Sequence, residues 1–284
     1  MRYLSVINNI FSTFLSIGKI IVRSGFFLKK EDFSGKDFIV CGNGPGLEAD
    51  LKAYTDLFRK ARVVTVNNFL YSEYFTLIRP EYYFILDAAY FSDTGPANGV
   101  ISRFLEKMQQ VSWPMSLYVP WQYKRSYLVR SVKNPNIRIR YYNYVVCKGG
   151  FDSVNFLFYN LGLAFPQCQN VLNGALFMLS RNGARRLFLC GAENDWHLKF
   201  RVNEKNQVYF VDDHFYDKGG EYRLLNNNMA FLLESSSKAL RTYLEVERYA
   251  QHRGTKIYNC SGYSMIDAFE RLSKEEFLEK LQES

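Results

Sequence analysis

The sequence is short of histidine, of paired cysteine and of acidic residues at its amino end, and each shortage removes a class of explanation. Three histidines, His197, His214 and His252, occur in 284 residues, so an imidazole base has three candidate positions. The five cysteines, Cys41, Cys147, Cys168, Cys190 and Cys260, form no CxxC and no Cys/His ligand pair. That excludes a disulfide framework or a structural zinc site and points to reduced core thiols in a cytoplasmic protein. There is no internal repeat and no Pro/Ser-rich linker, which excludes a solenoid or a string of tethered domains. With 48% hydrophobic and 17% aromatic residues the chain can bury a full core.

The first 30 residues contain Arg2, Lys19, Arg23, Lys29 and Lys30 and no carboxylate, so five of the eight net positive charges lie there. Charge concentrated in this way favours local attraction to an anionic membrane surface over a nucleic-acid groove, and no nucleic-acid partner is expected. Tyr3, Ile7, Ile10, Phe14, Ile17 and Ile21 recur every three or four positions, widened by Leu4, Phe11 and Leu15, which predicts an amphipathic helix. It lacks the plan of a signal peptide, and Asn8, Asn9, Ser12, Ser16 and Lys19 interrupt it too often for a comfortable span. Two readings stand: a helix lying in the headgroup region, or one packed against the domain.

Beyond residue 33 the pattern alternates. Apolar runs at 37–41, 62–66, 82–86, 116–119, 137–146, 186–190 and 256–259 read as strands. Stretches at 47–60, 71–78, 101–111, 170–182 and 228–253 read as helices, with a last one from 274. This is an α/β, Rossmann-like, mainly parallel sheet flanked by helices. The expected organisation is an amphipathic extension over 1–33, a catalytic domain over 34–273 and a terminal helix over 274–284. The polar stretch 193–223 reads as a loop over the site, within a lid of about 193–227. The aromatics Tyr141, Tyr142, Tyr144, Phe156, Phe158 and Tyr159 are either core or a sugar-stacking platform.

In an open parallel sheet, ligands bind beyond the carboxyl ends of the strands. Those ends carry Gly42-Asn43-Gly44-Pro45-Gly46, Asn67-Asn68, Asp87, Gly191 to Asp195 with Glu193 among them, and Asn259-Cys260-Ser261. The glycine turn offers backbone N–H groups and a helix amino terminus to a phosphate, or it serves only as a tight turn. A dinucleotide fingerprint is broken: the third glycine comes one residue early, and Asn67-Asn68 replaces the acidic residue that would hold a ribose. An asparagine pair provides donors and acceptors without charge, which suits a nucleoside monophosphate.

CGNGPGL (41–47), VNNF (66–69), NGARRLFLCGAEND (182–195) and KIYNCSGYSMI (256–266), in this order, resemble the blocks of the bacterial CMP-sialic acid-dependent sialyltransferases of glycosyltransferase family 42. The chain is similar also to the domain shared by motility accessory factors and archaeal pterin pyrophosphokinases. The resemblance implies a Rossmann-like domain with a lid, and a CMP moiety held by Asn43, Gly44 and one of Asn67 or Asn68. It further implies metal-free inverting transfer, a histidine general base, and tyrosines on the leaving phosphate. Gly46 stands where the family has a serine.

For the base, His214 lies in VDDHFYD (211–217), where Asp213 can orient the imidazole and Tyr216 can donate to the leaving phosphate. His197, just beyond a strand end, is the second candidate. His252, at the end of the long helix, reads as a solvated position. The same carboxylates allow a rival: Asp212 with Asp213, or Glu193 with Asp195, could hold Mg²⁺ or Mn²⁺ against a UDP- or GDP-sugar. The expected protein is a glycosyltransferase that needs no cofactor. It would move a sialic-acid-like sugar from a CMP-sugar donor to a glycan or glycolipid acceptor of lipopolysaccharide or capsule, peripherally on the inner face of the cytoplasmic membrane. A pterin pyrophosphokinase and a non-catalytic nucleotide-sugar-binding subunit are the alternatives. The oligomeric state, a homo-oligomer included, stays open.

Overall fold

A computed structural model describes residues 2–26, 28–92, 97–147, 149–212 and 221–283. The chain runs through α1 (Arg2–Arg23), β1 (Asp37–Cys41), α2 (Leu47–Lys60), β2 (Val63–Val66), α3 (Tyr74–Ile78), β3 (Tyr82–Phe84) and α4 (Gly99–Gln109). β4 (Met115–Pro120), α5 (Tyr127–Ser131), β5 (Ile137–Tyr142), α6 (Asp152–Asn160), α7 (Val171–Arg181) and β6 (Arg186–Cys190) follow. Next come α8 (Trp196–Lys199), β7 (Phe200–Val202), β8 (Val208–Asp212), β9 (Glu221–Leu224), α9 (Met229–His252), β10 (Lys256–Asn259), β11 (Glu270–Arg271) and α10 (Lys274–Gln282). Eight strands form one sheet in the order β11-β10-β6-β1-β2-β3-β4-β5, with every described pairing parallel. The fold is therefore α/β and Rossmann-like, as the alternation of elements predicts.

Both faces of the sheet are covered, which is why its strands read as continuous apolar runs. Side chains alternate along β1: Ile39 and Cys41 enter a core with Leu51 and Phe58 of α2, Phe104 of α4 and Phe277 of α10. Phe38 and Val40 enter the opposite core with Tyr159 of α6, Leu176 of α7, Tyr249 of α9 and Ile20 of α1. All five cysteines are buried and free. At the amino end of the central strands, the Asp37 carboxylate accepts from Arg185 Nε at 2.9 Å and from Arg186 Nη2 at 2.8 Å. It ties β1 to β6 at the end remote from the strand tips.

Two expectations need correction, and one open alternative is decided. The stretch 193–223 is not a plain loop: its described part contains α8 and a three-stranded antiparallel sheet, β7-β8-β9. Between β7 and β8 the Asn203 side chain accepts from the N–H groups of Lys205 (3.0 Å) and Gln207 (2.9 Å), and Asn206 takes a left-handed φ of 56°. That is the turn chemistry asparagine favours. The aromatic platform is core: Tyr142 and Tyr159 are buried, Tyr144 donates to the Cys168 carbonyl at 2.7 Å, and Phe156 packs on Tyr249. Helix α6, which carries three of these aromatics, has no counterpart in the sequence reading. Finally, the stretch Val6–Arg23 is long and apolar enough, by length and composition alone, to cross a membrane.

Helix α1 packs with its polar face inward. Ser16 and Ile20 are buried, and Ser12 and Thr13 lie against Gly149 and Gly150. Ser24 Oγ donates to the Leu163 carbonyl at 2.6 Å, while Asn143 grips Gly25 through both its N–H (2.7 Å) and its carbonyl (2.8 Å). The apolar face points away: Ile7, Ile10, Leu15 and Ile21 are exposed, with Phe11 at 64% and Phe14 at 68%. The helix is attached to the domain, as the second of the two sequence readings has it, and still presents its apolar stripe outward.

Candidate functional site

The chain steps from β1 outward to β5 on one side, then returns to place β6, β10 and β11 on the other. The strand order reverses between β1 and β6, and the crevice at the carboxyl ends of those two strands is where such sheets bind ligands. The Gly42–Gly46 turn and the Gly191–Asp195 segment meet at this point.

Their backbones approach so closely that side chains are excluded. Gly42 N–H donates to the Cys190 carbonyl at 2.8 Å, and Gly44 N–H to that of Gly191 at 3.0 Å. A Cβ on Gly42 would lie 2.1 Å from the Gly191 carbonyl oxygen; Gly191 itself takes φ 62°, and a Cβ there would meet Leu47 at 2.5 Å. The turn thus serves the packing of β1 against β6, and Pro45 and Gly46 stay exposed at its rim.

Glu193 fills the turn. Its Oε1 accepts from Gly46 N–H at 2.9 Å, and a Cβ on Gly44 would fall 1.2 Å from its Oε2. An ionised carboxylate at the amino terminus of α2 is favoured by the exposed N–H and the helix dipole. Burial pushes the Glu193 carboxyl above the usual carboxylate range, with the Gly46 N–H opposing that shift and Asp195 adding to it. The residue is 6% exposed, and Oε2 has no hydrogen-bond partner among the described residues. Its own carbonyl accepts from Met265 N–H at 2.7 Å.

The neighbouring strand ends supply further polar groups. Asn43 Nδ2 donates to the Val66 carbonyl at 3.2 Å, joining the glycine turn to the end of β2. Asn67 has a left-handed φ of 44°, and its carbonyl accepts from the Tyr83 hydroxyl. Asn68 Oδ1 accepts from the Tyr90 hydroxyl at 2.5 Å. Both asparagines therefore already brace the turns after β2. Asp87 is exposed and accepts from Ala89 N–H at 2.9 Å, capping a short 3-10 turn, a position beyond β3 and peripheral to the β1/β6 crevice. Ser261 Oγ accepts from Ala192 N–H at 3.0 Å, and Arg271 holds this loop through the Ser261 carbonyl at 2.8 Å.

His197 is half-buried in α8, one turn beyond the crevice, where the flanking Asp195 pairs with Lys199 at 3.4 Å. Asp213, His214 and Tyr216 lie outside the described residues, as does the side chain of Asp212. Among the described residues there is no group of three or more His, Cys, Asp or Glu arranged to hold a metal ion. Two further polar residues join the wall of the site, Asn194 of the 191–195 segment and Asn170, which the sequence reading did not bring here. Asn194 (φ 52°) accepts from Asn170 Nδ2 at 3.3 Å, and the same amide donates to the Tyr243 hydroxyl at 3.0 Å. Asn170 was legible as the cap of α7, where its Oδ1 accepts from Asn173 N–H at 2.9 Å; its second role arises only on folding. A groove of about 460 Å³ at the other end of the sheet is lined by Asp37, Asp56, Lys60, Arg62 and Arg185. It lies away from the switch point, and the Arg185 guanidinium in it is held by Asp37.

No protein-family model matches the sequence, and no curated protein matches it. Among solved structures the chain is similar to a MAf glycosyltransferase from Magnetospirillum magneticum AMB-1, at 14% identity and a TM-score of 0.48, covering 96% of this chain. The chain spans 41% of the length of that protein. It is similar also to BdcA in complex with NADPH, at 14% identity and a TM-score of 0.26, covering 80% of this chain and 70% of that one. Likenesses of this size establish no activity, and the fold rests on the sheet described above.

Proposed function

We propose that the chain is a glycosyltransferase that takes a sugar from a CMP-sugar donor. The observation that carries this reading is the convergence, at the β1/β6 switch point, of a neutral asparagine-rich rim with one buried carboxylate. Asn43, Asn67, Asn68, Asn194 and Glu193 offer hydrogen bonds suited to a nucleoside. Gly42, Gly44, Pro45, Gly46, Gly191 and Ser261 shape the floor and one wall of the donor site.

The segment that leaves β6, with α8 and the β7-β8-β9 sheet, serves as the lid. It carries His214 and Tyr216 in the stretch joining β8 to β9. In the inverting reaction His214 takes the proton of the acceptor hydroxyl as that oxygen bonds to the anomeric carbon. The bond from that carbon to the phosphate oxygen breaks, Tyr216 donates a hydrogen bond to the departing phosphate, and CMP leaves. Asp213 orients the imidazole. The acceptor is a glycan or glycolipid at an anionic membrane surface, to which the outward apolar stripe of α1 and its Lys19, Arg23, Lys29 and Lys30 bring the site.

Release of CMP from a CMP-sugar in the presence of a glycolipid acceptor, with isothermal binding of CMP in parallel, tests this. His214→Ala should lower turnover by about 10²–10⁴-fold, the usual contribution of a general base, while CMP binding changes less than threefold. An unchanged rate in His214→Ala together with a comparable loss in His197→Ala would transfer the role of base to His197. Absence of sugar transfer in the unsubstituted protein, with CMP still bound, would leave a binding subunit.

A further inference from the structure

The glycine turn is already occupied by an anion, and this bears on which part of a nucleotide it meets. Glu193 Oε1 takes the Gly46 N–H, the Gly42 and Gly44 N–H groups are spent on carbonyls of Cys190 and Gly191, and Pro45 has no N–H. All three glycine N–H groups of this turn are thus engaged within the protein. Oε2, in contrast, is buried against Gly44, lacks a hydrogen-bond partner among the described residues, and sits at the crevice where the strand order reverses. A buried carboxylate oxygen without a partner carries a desolvation cost that a donating ligand group, once admitted to it, relieves.

Resting on the nucleotide-sugar reading above, we propose that Glu193 is the ribose-recognising residue. Its Oε2 accepts a hydrogen bond from the ribose diol, and the phosphate lies away from the glycine turn. Gly44 is required because any side chain there would occupy the place of the carboxylate. Gly46 is required less strictly, since a Cβ there stands 2.7 Å from Oε1. Like-charge repulsion and the engagement of the three glycine N–H groups turn a phosphate away from the turn, while a neutral diol meets a charge-assisted acceptor.

The test is isothermal titration of the full chain with CMP, 2′-deoxy-CMP, 3′-deoxy-CMP and inorganic phosphate, for the unsubstituted protein and for Glu193→Gln. The amide retains an oxygen for Gly46 N–H, and a thermal melt checks that the variant folds. The unsubstituted protein should bind CMP at least tenfold more tightly than one of the two deoxy analogues, and Glu193→Gln should shrink that ratio to threefold or less. The comparison of analogues on the unsubstituted protein stands even where the variant does not fold. Equal binding of all three nucleotides overturns the assignment of Glu193 and leaves the nucleotide-sugar reading intact. Inorganic phosphate binding that tightens tenfold or more in Glu193→Gln also overturns it, because it places the phosphate in the turn. Failure of CMP to bind at all overturns the nucleotide-sugar reading with it.

Discussion

Gly42, Gly44 and Gly46 stand within five residues of one another, yet each is glycine for a different reason. A Cβ on Gly42 meets backbone, the Gly191 carbonyl oxygen at 2.1 Å, which cannot move without parting β1 from β6. On Gly44 it meets the end of the Glu193 side chain, which can swing out, and on Gly46 it presses the same carboxylate more gently. Alanine substitutions should therefore destabilise in the order 42, 44, 46, by roughly 3, 2 and under 1 kcal/mol, the range typical of overpacking. Urea denaturation gives these values, and an equal cost at all three positions would contradict the assignment. Glu193 carries a pH prediction. Its folded carboxyl titrates above the unfolded value of about 4.3, so the folded state holds the extra proton and ionisation works against folding. Stability from this group is present below the unfolded value and lost as pH rises through the raised folded one. The melting temperature of Glu193→Gln relative to the parent should accordingly climb from about pH 4 toward neutrality. A flat difference would show that burial does not penalise the charge. The glycine turn was legible in the sequence because a strand, GNGPG and a helix follow one another directly. Its occupant was not, since Glu193 reaches Gly46 across 147 positions of chain. If Glu193 is ionised, a phosphate about 4 Å away would be repelled by roughly 4 kcal/mol at an effective dielectric of about 20.

Among the elements, α1 departs most from common practice. A surface helix ordinarily turns its apolar stripe to the core. This one buries Ser16 and Ile20, lays Ser12 and Thr13 on a Gly149-Gly150 turn, and exposes Phe11 and Phe14. The periodicity that predicts the helix cannot say which face meets the domain, because small polar side chains allow close packing as apolar ones do. Phe11→Glu with Phe14→Glu should therefore leave the unfolding free energy in urea almost unchanged, within about 0.5 kcal/mol, while Ile20→Ala costs about 2 kcal/mol or more. Sedimentation with vesicles containing phosphatidylglycerol should be lost in the double variant and kept in Ile20→Ala. Binding that survives the double variant would assign the membrane contact elsewhere. The β7-β8-β9 sheet was hidden for a different reason. Its first strand is three residues long and the segment is rich in Lys, Asn and Glu, so period-two alternation never accumulates. The asparagines of the 203–206 turn were the one local sign of a hairpin.

Across the whole molecule the parallel sheet was the most legible feature, because strands covered on both faces write themselves as apolar runs such as FIVC and LFLC. Strand order was not legible, and it is the order that creates the crevice between β1 and β6 and brings residues 42–46 to residues 191–195. The central claim, that this crevice holds the nucleoside of a CMP-sugar without a metal, is tested most directly by calorimetric titration of CMP, UDP and GDP, each with and without Mg²⁺ and Mn²⁺. CMP should bind at least tenfold more tightly than either diphosphate, and metal should change its affinity less than twofold. Binding of UDP or GDP that exceeds that of CMP and depends on metal would contradict it.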